Sequence, residues 1–218
     1  MKKIMMIAAM MVAVLSANAQ EAGQMFVKPM VGGTLSKLTG DVENVKFKLG
    51  LVGGAEFGYH ASNQVALTAG LLVAMEGSGN KDTQYSKDMS TTLTYMNVPV
   101  LANFYIAPGL AIKAGVQPGF LLSAKSKGST DEGGHWEDYD VSGTENLNKF
   151  DLSIPMGISY EFGDFVIDAR YNLGLLNIAK TEKDLEYHSE NVSITVHSHD
   201  VKVKNSYIML TLGYKINL

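Results

Sequence analysis

Apolar and polar residues alternate from Phe47 to His60. Phe47, Leu49, Leu51, Gly53, Ala55, Phe57 and Tyr59 share one parity, and Lys48, Gly50, Val52, Gly54, Glu56, Gly58 and His60 share the other. A strand with one greasy face and one polar, glycine-rich face has this pattern. The same period runs through eight segments. Besides Phe47–His60, the outward rows read Met25, Val27, Pro29 and Val31 in a first segment of about Met25 to Leu35, and Val65, Leu67, Ala69, Leu71, Val73 and Met75 in Gln64 to Glu76. The fourth, about Thr92 to Ile106, has Met96, Val98, Val100, Ala102, Phe104 and Ile106, with Leu93 and Tyr95 on the opposite parity. A bulge near Tyr95 is expected to reconcile the two rows. The fifth, Leu110 to Lys125, carries Leu110, Ile112, Ala114, Val116, Pro118, Phe120 and Leu122, and the sixth carries Phe150, Leu152, Ile154, Met156, Ile158, Tyr160 and Phe162. The seventh shows Phe165, Ile167, Ala169, Tyr171, Leu173 and Leu175, and the last shows Ile208, Leu210, Leu212, Tyr214, Ile216 and Leu218.

The connections alternate in length. Ala61-Ser62-Asn63, Ala107-Pro108-Gly109 and Gly163-Asp164 are tight, whereas about Ser36 to Lys46, Gly77 to Thr91, Ser126 to Lys149 and Ala179 to Asn205 are long and polar. Long loops at one end and short turns at the other are the mark of an outer-membrane barrel. The sequence alone therefore predicts an all-β fold: an eight-stranded antiparallel up-and-down transmembrane β-barrel with short periplasmic turns and long extracellular loops. Most segments exceed the roughly 9–11 residues a tilted strand needs to cross a bilayer. Aromatic girdles are expected from Phe57, Tyr59, Phe104, Tyr160, Phe162, Phe165 and Tyr214 at the periplasmic rim, and from Phe47, Tyr95 and Phe150 at the outer one. A soluble core filled by the same aromatics is the alternative.

The N-terminus adds a destination. Met1-Lys2-Lys3, an apolar run from Ile4 to Leu15, and Ala17-Asn18-Ala19 read as a signal peptide over residues 1–19, leaving a barrel domain of 20–218. The apolar run is shorter than the roughly 20 residues of a spanning helix, which argues against a membrane anchor. Removing Lys2 and Lys3 takes the formal charge from −4 to −6. No cysteine is present, so a lipid anchor, disulfides and thiolate chemistry are excluded. With 22 glycines and Arg170 its only arginine, the chain is no basic nucleic-acid binder.

The inward face is expected to carry Lys48, Glu56, Glu76, Lys113, Lys125, Asp151, Glu161, Asp168, Arg170 and Lys215, five cations against five anions. An eight-stranded barrel is just wide enough for side chains to fill, so these charges read as one mutually paired lining with Asp168 and Arg170 at its centre. A narrow ion or proton path is the alternative.

Four blocks then carry a resemblance: Leu93-Thr-Tyr-Met-Asn-Val-Pro-Val-Leu-Ala-Asn-Phe-Tyr105, Ala114-Gly-Val-Gln-Pro-Gly-Phe-Leu-Leu122, Phe150-Asp-Leu-Ser-Ile-Pro-Met-Gly-Ile158 and Asp168-Ala-Arg-Tyr-Asn-Leu-Gly-Leu-Leu-Asn-Ile178. They resemble the blocks of the PorT-like outer-membrane β-barrel family of Bacteroidetes. That resemblance implies an eight-stranded membrane barrel, and it associates the family's name-giving member with type IX protein secretion. Thr211, Gly213, Ile216 and Leu218 are similar to the pattern that the barrel assembly machinery reads on a last strand, with Leu218 where phenylalanine is commoner.

Catalytic constellations are poor. His197-Ser198-His199-Asp200 could bring two imidazoles to one strand face, and a metal site there would need His188 or nearby acids. A hydrolase would need Ser189 or Ser198, His188 or His197, and Asp200 in mutual register. Asp131, Glu132, Glu137, Asp138, Asp140 and Glu145 could hold calcium but lack EF-hand spacing, and read more simply as an acidic surface loop. Trp136, Tyr139, His197 and His199 are the candidate loop contacts. The expectation is a non-enzymatic outer-membrane barrel without cofactor or metal, acting as an envelope scaffold or surface-contact protein, with an accessory place in secretion included. Its partners are outer-membrane lipid, the assembly machinery and an unknown envelope or extracellular partner, and not nucleic acid. An exported soluble small-ligand barrel and a lipid-modifying hydrolase are the alternatives. Val192 to Val203 is expected to prolong the last strand as a raised lip.

Overall fold

A computed structural model describes residues 22–41, 45–80, 86–132, 135–145, 147–180, 185–189, 192–196 and 202–218. Residues 1–19, read from the sequence as a signal peptide, and the expected cleavage point before Gln20 lie outside the described residues. The strands are β1 (Met25–Gly40), β2 (Val45–Lys46), β3 (Lys48–Ser62), β4 (Val65–Asn80), β5 (Ser86–Asn97), β6 (Val100–Ala107), β7 (Leu110–Glu132), β8 (His135–Ser142), β9 (Phe150–Phe162), β10 (Phe165–Gly174), β11 (Leu185–Ser189), β12 (Val192–Val196), β13 (Val203–Tyr214) and β14 (Ile216–Asn217).

Antiparallel pairing runs β1, β3, β4, then β5 with β6, then β7, β9, β10 and β13, and returns to β1. The closing seam joins Met30 to Gly213 and Gly40 to Val203, with β14 completing it at Phe26 and Asn217. A closed ring of eight walls results, with no free sheet edge among them. No helix among the described residues is long and apolar enough to cross a membrane, which leaves crossing by strands untouched.

β5 and β6 form one wall interrupted at Val98-Pro99. Pro99 has no amide hydrogen to give, and the ladder is carried past it by Gly70 N–H donating to the Pro99 carbonyl at 2.9 Å and Val98 N–H to the Pro118 carbonyl at 2.8 Å. Two of the tight turns use glycine in the left-handed region, Gly109 at φ 74° and Gly163 at φ 62°.

Alternation sorts the side chains as the sequence pattern requires. Leu49, Leu51, Leu67, Leu71, Ile112, Val116, Ile158, Ile167, Leu210 and Leu212 lie exposed on the outside, while the charged and amide residues of the other parity are buried inside. Such a molecule is inside out relative to a soluble barrel, and its outer surface suits hydrocarbon rather than water. Tyr160, Phe162, Phe165 and Tyr214 form a chain of ring contacts at the turn end, with centroids 6.5, 5.8 and 5.3 Å apart. Phe120 and Phe150 meet edge-to-face at 5.5 Å nearer the other end.

Three expectations change. Tyr95 is no outer girdle residue: it and Leu93 are buried inside at 1% exposure. They share one inward phase with Asn97, so β5 itself needs no bulge; the bulge lies in the partner strand, where Thr94 pairs with Ser123 and Tyr95 with Leu121, so Leu122 is the extra residue of β7. Second, the long connections are largely ladder rather than loop. β7 runs on to Glu132 and turns back as β8, pairing Asp131 with Trp136 and Lys125 with Ser142, because backbone groups pair regardless of how polar the side chains are. Third, β12 pairs with β11 in a separate two-stranded sheet instead of prolonging β13.

Candidate functional site

The barrel interior is built in levels from the turn end upward. At the rim, Lys215 Nζ lies 2.9 Å from Glu161 Oε2, the Tyr105 hydroxyl donates to Glu161 Oε1 at 2.6 Å, and His60 Nε2 sits 3.2 Å from the same ammonium. The Phe26 ring lies under Lys215 at 4.6 Å. It fits there because Gly58 presents no side chain: a Cβ at that position would fall 2.1 Å from Phe26.

The next level is an ion-paired cluster. Arg170 donates from Nε to Asp168 Oδ1 and from Nη2 to Asp168 Oδ2, both at 2.7 Å, and its Nη1 lies 2.5 Å from Glu56 Oε1. Lys28 Nζ is 2.8 Å from Glu56 Oε2 and 3.5 Å from Asp168 Oδ2, while Lys113 pairs with the same Asp168 oxygen. All five side chains are buried. Residues two apart on one strand face supply Asp168 and Arg170, and the remaining three come from β1, β3 and β7, which ties four walls together.

Above it lies a carboxylate and amide level. Glu76 Oε1 accepts from Asn97 Nδ2 at 2.8 Å, and Glu76 also hydrogen-bonds Asn205 and Tyr207. Gln117 Nε2 donates to the Tyr207 hydroxyl at 2.8 Å and to Ser153 Oγ at 3.3 Å. Asp151 receives the Leu152 N–H at 2.7 Å. Over this level Leu93, Tyr95, Leu121, Ala124, Ile178 and Val203 pack into an apolar seal. Ile178 is drawn down into the mouth by backbone bonds from its own N–H to the Val203 carbonyl and from Asn148 N–H to its carbonyl, each 2.8 Å. A cavity of about 530 Å³ opens outside the seal, between Leu38, Val141, Leu147 and Ile178.

A family model described as "outer membrane protein beta-barrel domain" matches residues 18–180. The chain belongs to that family. It is therefore an outer-membrane protein, and the closed ring of eight walls is its membrane-spanning body. Among solved structures it is similar to Ail, the attachment invasion locus protein of Yersinia pestis, at 16% identity and a TM-score of 0.45, over 89% of this chain and 99% of that one. Neisserial surface protein A matches at 14% and 0.43, over 88% and 97%, and OprG from Pseudomonas aeruginosa at 14% and 0.40, over 91% and 98%. No curated protein sequence is similar enough to count as a match.

The barrel regroups the residues picked from the sequence. Glu56, Lys113, Asp168 and Arg170 come together in the ion-paired level, Glu161 and Lys215 at the rim, and Glu76 and Asp151 in the carboxylate level. Two do not fit the single lining that was expected. Lys125 is exposed, because the extra residue Leu122 reverses the parity of β7 beyond it, and Lys48 is only half-buried at the start of β3. Lys28 is the important omission: at 3% exposure it completes the ion-paired level, and its place on the inward parity, opposite the outward row of Met25, Val27 and Pro29, was legible. His60 was likewise on the polar parity.

The C-terminal residues Thr211, Gly213, Ile216 and Leu218 line the closing seam. Gly213 lies against the Lys28 stem, Thr211 faces inward, and Leu218 N–H donates to the Met25 carbonyl at 2.9 Å. Trp136 and Tyr139 stand in β8 opposite Asp131 and Gly128. Their side chains lie outside the described residues, as do His197 and His199 entirely. Exposed Lys127 pairs with Asp140 at 2.9 Å, and the hydrogen bond and charge of that carboxylate hold the ammonium above the ordinary lysine range. Among the described residues no group of three or more His, Asp or Glu could hold a metal ion.

Proposed function

We propose that this outer-membrane barrel is a non-conducting, non-enzymatic platform that presents its extracellular β-extensions to an envelope or surface partner. The observation that carries the reading is the obstruction of the lumen: Arg170, tied to Glu56 and Asp168, and Ile178, held in the mouth, are each 1% exposed. A filled eight-stranded barrel leaves no aqueous path, which moves the working surface to the β7 and β8 extension and its acidic, aromatic sequence. A soluble ligand carrier is disfavoured by apolar rows outside and charges inside. The proposal includes export by the leader of residues 1–19 and insertion by the assembly machinery reading Thr211, Gly213, Ile216 and Leu218. The resemblance to PorT-like proteins of Bacteroidetes adds an accessory place in protein secretion as its most specific form, supported by the blocks around Pro99 and Arg170.

Two measurements test it. Purified barrel added to planar bilayers should give no conductance steps, and sustained single-channel currents would refute the platform reading. A photo-crosslinking residue at exposed Asp138 or Val141 should trap a discrete envelope or surface partner on intact cells, whereas the same residue at lipid-facing Leu67 should trap none. Equal labelling from all three positions would remove the partner.

A further inference from the structure

We propose that the carboxylate and amide level of the lumen is a binding site for one hard, oxygen-coordinated cation, calcium being the best match, held by Glu76 and Asp151 with neutral oxygens of Asn205, Gln117 and Tyr95. The level holds two buried carboxylates that interact with each other, Glu76 at 2% and Asp151 at 6% exposure. Every hydrogen bond recorded to them comes from a neutral group: Asn97, Asn205 and Tyr207 for Glu76, and the Leu152 amide for Asp151. The buried cations of the level below are already committed, Lys28 and Arg170 to both Glu56 and Asp168, and Lys113 to Asp168. Unpaired buried carboxylates are costly, so each either holds a proton or faces a cation, and a cation bound at this level takes the place of those protons.

A second, independent observation points to the same place. Tyr95 Oη, Gln117 Oε1 and Asn205 Oδ1 are buried and have no hydrogen-bond partner among the described residues. Each belongs to this level. Asn205 already donates from Nδ2 to Glu76, so its orphaned Oδ1 is the other arm of the same amide. Gln117 donates from Nε2 to the Tyr207 hydroxyl, which in turn bonds Glu76. The Tyr95 phenol interacts electrostatically with both Asp151 and Glu76. Gly119 makes this approach possible, since a Cβ there would fall 2.6 Å from Asn97 Oδ1 and 3.4 Å from the Tyr95 ring.

Carboxylates combined with amide carbonyls are calcium ligands, and two carboxylates balance a divalent charge. The surroundings favour retention: the apolar seal of Leu93, Leu121, Ile178 and Val203 roofs the site, and the three cations beneath it close the other exit to a cation.

The test uses the full folded chain. Protein purified without chelator is analysed for bound metal, then stripped with EDTA and titrated with calcium chloride, following binding by calorimetry and the temperature of heat-modifiable unfolding. One calcium per barrel is expected, with an unfolding temperature raised by calcium and not by sodium chloride of equal ionic strength. Glu76→Gln and Asp151→Asn should each weaken binding by more than about tenfold, while Asp140→Asn on the exposed extension should leave it unchanged. The proposal is overturned if wild-type protein shows neither bound metal nor a calcium response, or if the response survives in both luminal variants and disappears in Asp140→Asn, which would assign it to the acidic extension. Metal content of the wild-type chain decides the matter even where a luminal variant does not fold.

Discussion

Glu56 and Asp168 lie among three cations, whereas Glu76 and Asp151, one level nearer the cell exterior, lie among amides and phenols. Both pairs occupy the same face of the same barrel, and both are shut away from water. The difference teaches that charge balance inside such a barrel is local. Among the described residues the buried charges add to four cations, Lys28, Lys113, Arg170 and Lys215, against five anions, Glu56, Glu76, Asp151, Glu161 and Asp168, and that near-balance hides one level in cationic excess and another with carboxylates alone. In a dry interior a cation one level away is no substitute for one in contact.

The comparison can be broken most directly at Asp168, which touches Lys28, Lys113 and Arg170 at once. Asp168→Asn leaves three buried cations facing Glu56 alone and should cost about 3–5 kcal/mol, measured by urea unfolding of barrels refolded into lipid vesicles. A loss below about 1 kcal/mol would mean that water reaches the ion-paired level after all. Leu93→Ala should cost about 2 kcal/mol, because Leu93 packs at 1% exposure in the seal but borders the outer cavity, so its neighbours can partly close in. Its second readout is a calcium-release rate faster than in the intact barrel, and an unchanged rate would remove the seal from the retention argument. Smallest of all, Glu76→Gln in calcium-free buffer should shift stability by no more than about 1 kcal/mol, since it replaces an uncompensated carboxylate by a neutral amide of the same shape. Were Glu76→Gln as damaging as Asp168→Asn, the two levels would not differ in kind.

Much of the barrel could be read from period-2 alternation, because a lipid-facing strand has a single physical requirement per parity. The row from Phe47 to His60, the tight turns at Ala107-Pro108-Gly109 and Gly163-Asp164, and the Asp168 and Arg170 pair all follow from it. Parity says nothing about height, however, and the levels of the lumen depend on strand tilt and register across different walls. That is why Glu76 and Glu56 looked equivalent in the sequence. The misplacement of Lys125 has a separate cause, the one extra residue in β7, which shifts phase without leaving any mark in composition, whereas Tyr95 keeps the inward phase that Leu93 and Asn97 share along β5. The extensions were misread as loops because their side chains are polar, whereas the ladder of β7 and β8 is made by backbone groups.

Leu122 divides β7 into two rulers with different zero points. Below it odd-numbered residues such as Lys113, Gln117 and Leu121 point inward, and above it Ala124 takes over that role while Lys125 turns outward. Anyone transplanting an extracellular hairpin onto this barrel would have to count from the junction. A graft joined above Leu122 must follow the even-numbered inward phase, and one joined below it, from a donor strand lacking the extra residue, would deliver each side chain to the wrong side of the wall.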